Sequence, residues 1–100
     1  MLPSQRVATH PGAILLEEFL QPMDISQARL AASLGIPLNR VNEIVKGKRG
    51  VSAETALLLS SYFKNSAEFW MNLQVAHDLS KARKSFKPVA AAKRRKRAVA

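Results

Sequence analysis

The chain has 100 residues, 47% of them apolar, which is enough for one small domain with a hydrophobic core. It has no cysteine and no apolar run of the roughly 18–20 residues that a membrane span needs, so the sequence predicts no disulfide bond, thiolate metal site or membrane segment. The formal net charge is +9, but nine of the sixteen Lys and Arg residues lie beyond residue 80, and residues 1–80 are neutral overall.

The N-terminal part of the chain predicts a short arm followed by one helix. Residues 1–9 are expected to be extended or disordered, and they lack a signal-peptide core, which favours a soluble cytoplasmic protein. The helix is expected to start at His10-Pro11, because proline fits a first helical turn. It is expected to end at Gln21-Pro22, because the residue before a proline avoids the helical conformation.

The next stretch, residues 26–46, predicts two short helices joined by a tight turn. Ser26 is a suitable N-cap for the first helix, and Ile25 with Leu30 can form a hydrophobic staple around that cap. Gly35 is expected to end this helix in the left-handed conformation. The second helix has an apolar period and an opposite polar face, and it is expected to end at Gly47. This is the pattern of a DNA-binding helix-turn-helix.

The remainder predicts a loop with two cations between Gly47 and Gly50, followed by two more helices. Ser52 is expected to cap the fourth helix, and Asn65 with Glu68 resembles a capping box for the fifth. Five helices and no strand pattern predict an all-α domain over residues 10–84, ending in a dimerisation helix, with a basic disordered tail over 85–100. The apolar positions expected on these last two helices are Ala56, Leu57, Leu59 and Phe63, then Phe69, Trp70, Leu73, Ala76 and Leu79.

The polar face of the third helix, which would enter the major groove, supplies the candidates for reading bases. Asparagine presents a donor and an acceptor that suit adenine, arginine suits guanine or a phosphate, and glutamate suits cytosine or can orient Arg40. A solvated helix face is the alternative for all of them. The base-reading candidates are Asn39, Arg40, Asn42 and Glu43, and the phosphate candidates are Ser26, Gln27, Lys46, Lys48 and Arg49.

Other kinds of site are not indicated. His10 and His77 are the only histidines and lie far apart in the sequence, without a carboxylate pair at ligand spacing, so no metal site is predicted. No serine has a base partner, and neither glycine fingerprint for phosphate binding is present. We therefore predict no enzyme activity, no cofactor and no small-molecule substrate.

Several segments together resemble the HigA family of antitoxins, which carry a helix-turn-helix of the lambdoid-repressor (XRE) type. The resemblance covers roughly residues 6–84 and implies a lambda-repressor-like domain. It further implies a homodimer that represses its own operon at a pseudo-palindromic operator and neutralises a RelE- or HigB-like endoribonuclease toxin. The segments are His10-Pro11-Gly12, Ile14 to Leu20, Ser26-Gln27, Leu30-Ala31, Gly35, and Phe69-Trp70-Met71-Asn72-Leu73-Gln74, which is similar to the family's signature in the fifth helix.

The fifth helix supplies the candidates for a dimer or partner interface, namely Phe69, Trp70, Leu73 and His77. A single helix-turn-helix reads one short half-site, so affinity usually comes from a two-fold dimer. Burial in the core of the domain is the alternative for Phe69 and Trp70.

Two features depart from the family pattern. Pro37 stands where many relatives have Ser or Thr, so the start of the third helix lacks a hydroxyl for phosphate contact. The basic run at residues 93–97 is not required by the family; it favours non-specific DNA affinity, with a solubilising tail or a nuclear import signal as alternatives. A stand-alone repressor without a toxin, and an interaction module that no longer binds DNA, are the other functions consistent with the sequence.

Overall fold

The computed structural model describes residues 6–88, which form five helices and contain no strand. The predicted all-α helix-turn-helix class is confirmed. Residues 1–5 of the predicted arm and residues 89–100 of the predicted tail lie outside the described residues. The helices are α1 over residues 11–23 (in three consecutive segments, Pro11–Ile14, Leu15–Leu20 and Gln21–Met23), α2 Gln27–Leu34, α3 Leu38–Val45, α4 Ala53–Phe63 and α5 Ala67–Ser85.

α1 begins as predicted but runs past Pro22 to Met23, so the expected end at Gln21-Pro22 is wrong. Its middle segment, Leu15–Leu20, is π-helical, and the Gln21 N–H donates to the carbonyl five residues back. The wider turn displaces the carbonyls with which the Pro22 ring would collide in a regular α-helix, so the proline is tolerated. The helix instead ends where Asp24 adopts the left-handed conformation, with φ of 55°.

Serine side chains cap three of the helices. The Ser26 Oγ accepts from the Arg29 N–H at 3.0 Å, as predicted for α2. Ser52 caps α4 in the same way, and its Oγ accepts from the Thr55 N–H at 3.3 Å. These hydroxyls satisfy amide groups that have no acceptor within the helix.

The predicted capping box at the start of α5 is wrong by one residue. Ser66 is the N-cap, and its Oγ accepts from the Phe69 N–H at 3.0 Å. The Asn65 Oδ1 accepts instead from the Trp70 Nε1–H at 2.9 Å. Because an indole N–H buried with its ring needs an acceptor, the packing of Trp70 determines how Asn65 is used.

The core lies where the five helices meet, and Trp70 is its largest fully buried side chain. Its ring centroid lies 5.1 Å from that of Phe19 and 5.0 Å from that of Phe69. Leu57, Ala76 and Leu79, predicted as apolar-face positions, are exposed, because α4 and α5 each pack one side against the domain. The buried hydrophobic residues are Leu15, Leu20, Leu30, Ala31, Val41, Ile44, Val51, Ala56, Leu59 and Trp70.

The start of α1 packs against the end of α3 at Gly12. A Cβ atom on Gly12 would lie 1.7 Å from the backbone oxygen of Ile44, so only glycine fits there. This contact positions the third helix against the first. In residues 6–88 no helix combines the length and apolar character required to cross a membrane.

Candidate nucleic-acid interface

The helix-turn-helix consists of α2, a three-residue turn and α3. Gly35 has φ of 72°, the predicted left-handed conformation, and its N–H donates to the Ala32 oxygen at 3.3 Å. Ala31 is 3% exposed, and Val41 of α3 is 1% exposed. A small side chain at position 31 allows the two helices to pack closely, so the buried face of α3 is fixed and its other face points outward.

The outward face of α3 carries the base-reading candidates. Asn39 is exposed, while Arg40, Asn42 and Glu43 are half-buried. The Glu43 Oε1 accepts from the Arg49 Nε–H at 2.8 Å, and its Oε2 accepts from the Asn39 Nδ2 at 3.4 Å. Glu43 therefore orients Arg49 and Asn39 and has no bond to Arg40, contrary to one of the two roles expected for it.

The start of α3 has no side-chain cap. Pro37 occupies the N-cap position in an extended conformation, and its carbonyl accepts from the Arg40 N–H at 3.0 Å. The N-cap of α3 therefore offers no hydroxyl group for contact with a phosphate, as expected from the sequence. Leu38, the next residue, is 44% exposed, so it lies on the outer surface beside Asn39.

The phosphate candidates form two groups. Ser26 and Gln27 lie at the start of α2, beside a surface groove that Arg29 also lines. Lys46, Lys48 and Arg49 are exposed at and after the end of α3.

A cleft of about 230 Å³ lies between α3 and the start of α4, and both Arg40 and Arg49 line it. The other lining residues are Gly50, Ser52, Glu54 and Thr55. Ser52, Glu54 and Thr55 were not identified from the sequence as site residues.

The loop between α3 and α4, residues 46–52, is fixed at both ends. At its start, the Glu43 backbone oxygen accepts from the Lys48 N–H at 2.8 Å and from the Arg49 N–H at 3.2 Å. Gly47 adopts φ of 76°, which reverses the chain after the helix. At its end, the Val51 N–H donates to the Gln74 Oε1 at 2.6 Å. The loop therefore holds Lys48 and Arg49 in one arrangement beside α3.

The candidates for a dimer or partner interface differ in exposure. Trp70 is fully buried in this chain, so its assignment to an interface is wrong and the core alternative is correct. Phe69 is 37% exposed and Leu73 is half-buried. The His77 Nδ1–H donates to the Ala8 carbonyl at 2.8 Å, so this side chain holds the N-terminal arm.

The second half of α5 carries an exposed apolar stripe that was not predicted from the sequence. We call Val75, Leu79, Ala82 and Phe86 the α5 stripe; Val75, Leu79 and Phe86 are 49%, 46% and 61% exposed. Their spacing is four, three and four residues, which places Val75, Leu79 and Ala82 on one side of the helix, and Phe86 directly follows the helix as its C-cap residue. The same spacing can be read from the sequence, so the stripe could have been predicted from it.

The two histidines meet in the structure, although they lie far apart in the sequence. Their ring centroids are 4.8 Å apart, edge to face, because α5 passes beside the start of α1. The His10 Nδ1 accepts from the Gly12 N–H at 2.8 Å and caps α1. Burial lowers the pKa of His10, and charge on His77 and Lys81 lowers it further while Asp78 opposes them. Residues 6–88 contain no group of three His, Cys, Asp or Glu side chains that could hold a metal ion.

The chain is similar to known helix-turn-helix proteins. The helix-turn-helix family model matches residues 16–70. Virulence-associated protein I of Dichelobacter nodosus is 49% identical over 75 residues, which are 75% of this chain and 69% of that protein. Antitoxin HigA-1 of Vibrio cholerae is 38% identical over 80 residues, which are 79% of this chain and 74% of that antitoxin. The solved structure of Pseudomonas aeruginosa antitoxin HigA with the higBA promoter is 43% identical, covers 81% of this chain and 97% of its own, and has a TM-score of 0.74.

These similarities include α2, α3, α4 and the loop between α3 and α4, which together carry most of the residues of the interface. They are similarities to regulatory DNA-binding proteins and not to enzymes, in agreement with the prediction from the sequence. The chain belongs to the HigA-type antitoxins, which have a helix-turn-helix domain of the XRE type.

Proposed function

We propose that this protein binds operator DNA as a homodimer in the bacterial cytoplasm, represses its own operon and neutralises a RelE- or HigB-like toxin. The observation that carries the proposal is the outward polar face of α3, flanked by the cationic loop that follows it. The Pseudomonas relative described above was solved with promoter DNA, which supports the same partner for this chain.

In this proposal, α3 lies in the major groove. Asn39 and Asn42 each present an amide with a donor and an acceptor, which suits the edge of adenine, and Arg40 suits guanine or a phosphate. Lys46 and Lys48 contact phosphates and give affinity without sequence information. Because Glu43 holds Asn39 weakly, at 3.4 Å, the amide of Asn39 can exchange that bond for one to a base.

The homodimer is supported by the α5 stripe. Its apolar side chains are exposed in the isolated chain, and their spacing suits packing against an identical helix, as in a coiled-coil seam. Two copies related by a two-fold axis would present two α3 helices to the two halves of a pseudo-palindrome. Toxin neutralisation is supported by the family to which the chain belongs.

The test of DNA binding begins with protection mapping of the DNA upstream of the gene with purified protein. Fluorescence anisotropy on the protected sequence then compares wild type with the double variant Asn39→Ala/Asn42→Ala. We expect the variant to lose at least about 30-fold in affinity for the operator and much less for unrelated DNA, since two base contacts of about 1–3 kcal/mol each remove about 2 kcal/mol of discrimination or more. Equal loss on both DNAs would contradict base reading by these residues.

The test of toxin neutralisation is co-expression with the product of the neighbouring gene. Growth rescue and stoichiometric co-purification are the expected results. Operator binding without a complex and without toxicity of the neighbour would favour a stand-alone repressor instead.

A further inference from the structure

Gln74 is a polar side chain inside the domain, and both ends of its amide are used. It is 8% exposed on α5, and its Oε1 accepts from the Val51 N–H at 2.6 Å. Its Nε2 donates to the Asp78 Oδ1, one turn further along the same helix, at 2.9 Å. Buried polar groups are stable only when paired in this way. Gln74 is therefore built into the fold with a defined orientation.

Asp78 determines which end of the amide faces the loop. A carboxylate can only accept a hydrogen bond, so it binds the NH₂ end of Gln74 and leaves the oxygen end for Val51. The reversed amide would place its NH₂ against the Val51 N–H, two donors facing each other. The pair thus offers one acceptor to the backbone of the loop.

The contact fixes the end of the loop that carries the candidate phosphate ligands. Val51 is a core residue, 4% exposed, and it directly follows Gly50. A Cβ atom on Gly50 would lie 3.1 Å from the amide of Gln74, so the loop backbone rests on this side chain. The two residues before Gly50 are Lys48 and Arg49, whose side chains are exposed. Gln74 therefore holds the end of the loop that follows these two cations, while the Glu43 backbone oxygen holds its start.

We propose that Gln74 is a positioning residue for DNA binding, which aligns Lys48 and Arg49 with the operator backbone through the Val51 N–H. The inference rests on the proposed operator binding. Gln74 does not touch DNA in this proposal; it acts from the interior of the domain, and Asp78 acts through Gln74. The fifth helix thereby determines the geometry of a loop on the DNA-binding surface.

The first test uses Gln74→Leu, with Leu59→Ala as a control for reduced stability alone. Leu59 is a core residue of α4, 1% exposed. In Gln74→Leu we expect the slope of log affinity against log salt to become shallower by about 0.9 for each phosphate that the loop no longer neutralises, and affinity at 0.1 M salt to fall by about tenfold per phosphate. Leu59→Ala should lower the melting temperature and leave the slope of the folded protein unchanged. An unchanged slope in Gln74→Leu would make Gln74 a core residue only and overturn the proposal.

The second test is a rescue, which also covers the case in which Gln74→Leu does not fold. Gln74→Glu places a carboxylate against Asp78, and we expect the repulsion to weaken operator binding. Gln74→Glu/Asp78→Asn reverses the bond between the two side chains, because the amide introduced at position 78 can donate, and it keeps a carboxylate oxygen for the Val51 N–H. We expect the double variant to bind the operator within about threefold of wild type, as a restored hydrogen bond costs little. Equal loss in the single and double variants would overturn the proposal.

Amide hydrogen exchange in the protein without DNA separates this proposal from the proposed function. Val51 should be protected in wild type and in the double variant, and it should exchange faster in Gln74→Glu. If wild type binds no operator while Val51 follows this pattern, the proposed function fails and the link between Gln74 and the loop stands. An unprotected Val51 in wild type would overturn the link itself.

Discussion

The helix-turn-helix, residues 26–45, and the second half of α5, residues 75–85, use their apolar residues in opposite ways. In the first region, Leu30, Val41 and Ile44 are all buried, and the outer surface is mostly polar, with Leu38 as its one exposed large apolar side chain. In the second region no residue is buried, and Val75 and Leu79 are exposed. The core of the domain therefore ends at Gln74, and α5 continues beyond it as a surface. The helix-turn-helix buries its main apolar residues within the domain. The apolar side of residues 75–85 can be buried only against a partner.

The buried start of α5 gives the largest expected effect. Trp70→Ala should lower the free energy of unfolding by about 3–5 kcal/mol, because it leaves a large cavity and removes the partner of Asn65. Urea denaturation followed by circular dichroism measures this, since the chain has a single Trp and its fluorescence is lost in the variant. A decrease below about 1 kcal/mol would contradict the assignment of Trp70 to the core.

Substitutions in the exposed half of α5 should affect dimerisation and DNA binding, and have little effect on the stability of the monomer. Val75→Glu/Leu79→Glu should change the stability of the monomer by less than about 0.5 kcal/mol per site, because both side chains face solvent. It should abolish the dimer and reduce operator affinity by about 100-fold, because the two half-sites are no longer bound together. Sedimentation equilibrium and anisotropy measure the two effects. A variant that stays dimeric would place the interface elsewhere.

The contact between Gly12 of α1 and Ile44 of α3 gives the next largest expected effect on stability. Gly12→Ala should destabilise the protein by about 1–3 kcal/mol, since the added methyl group displaces the end of α3. Gly35→Ala is a useful comparison, because nothing lies within 4 Å of its added Cβ and only the left-handed conformation opposes it. Thermal unfolding should rank Gly12→Ala as the more damaging change, and the reverse order would argue against the close packing of α1 on α3.

The cationic loop gives a smaller effect, confined to DNA binding. Lys48→Ala should make the salt dependence of operator binding shallower by about 0.9 and weaken that binding by about tenfold at 0.1 M salt for each half-site, because each protomer loses one phosphate contact. Lys64→Ala is the matched control, because Lys64 is an exposed cation at the end of α4, outside the proposed interface. Equal slopes for the two variants would remove Lys48 from the phosphate contacts.

The smallest expected effect concerns the histidine pair, which joins the start of α1 to α5. The pKa of His10 is lowered in the folded state, so the unfolded state binds the proton more readily and stability is lost as the pH falls below about 6.5. Above that pH the contribution is fully present. His10→Asn keeps an oxygen that can cap α1 and removes the titration, so its stability should fall less than that of wild type between about pH 7.5 and 5.5. Urea midpoints across this range measure the difference, and parallel curves would contradict it.

The sequence determined those parts of the fold whose signals act within one or two turns of chain. The residues that begin and end helices contact backbone groups only a few positions away, so their roles can be predicted without knowing how the helices pack. They include the N-caps Ser26 and Ser52 and the C-cap Gly35. The apolar period of residues 41–45 likewise determined which side of α3 is buried and which side faces outward.

Only the tertiary structure decided the features that depend on distant residues. The Val51 N–H meets Gln74 across 23 positions, and His77 meets Ala8 across 69. Packing also decided that Asn65 accepts a hydrogen bond from Trp70 while Ser66 caps α5. It likewise decided that α1 contains a π-helical segment and continues beyond Pro22. In each case a local preference could be satisfied in more than one way, and the choice was made by a buried group that had to be paired or accommodated.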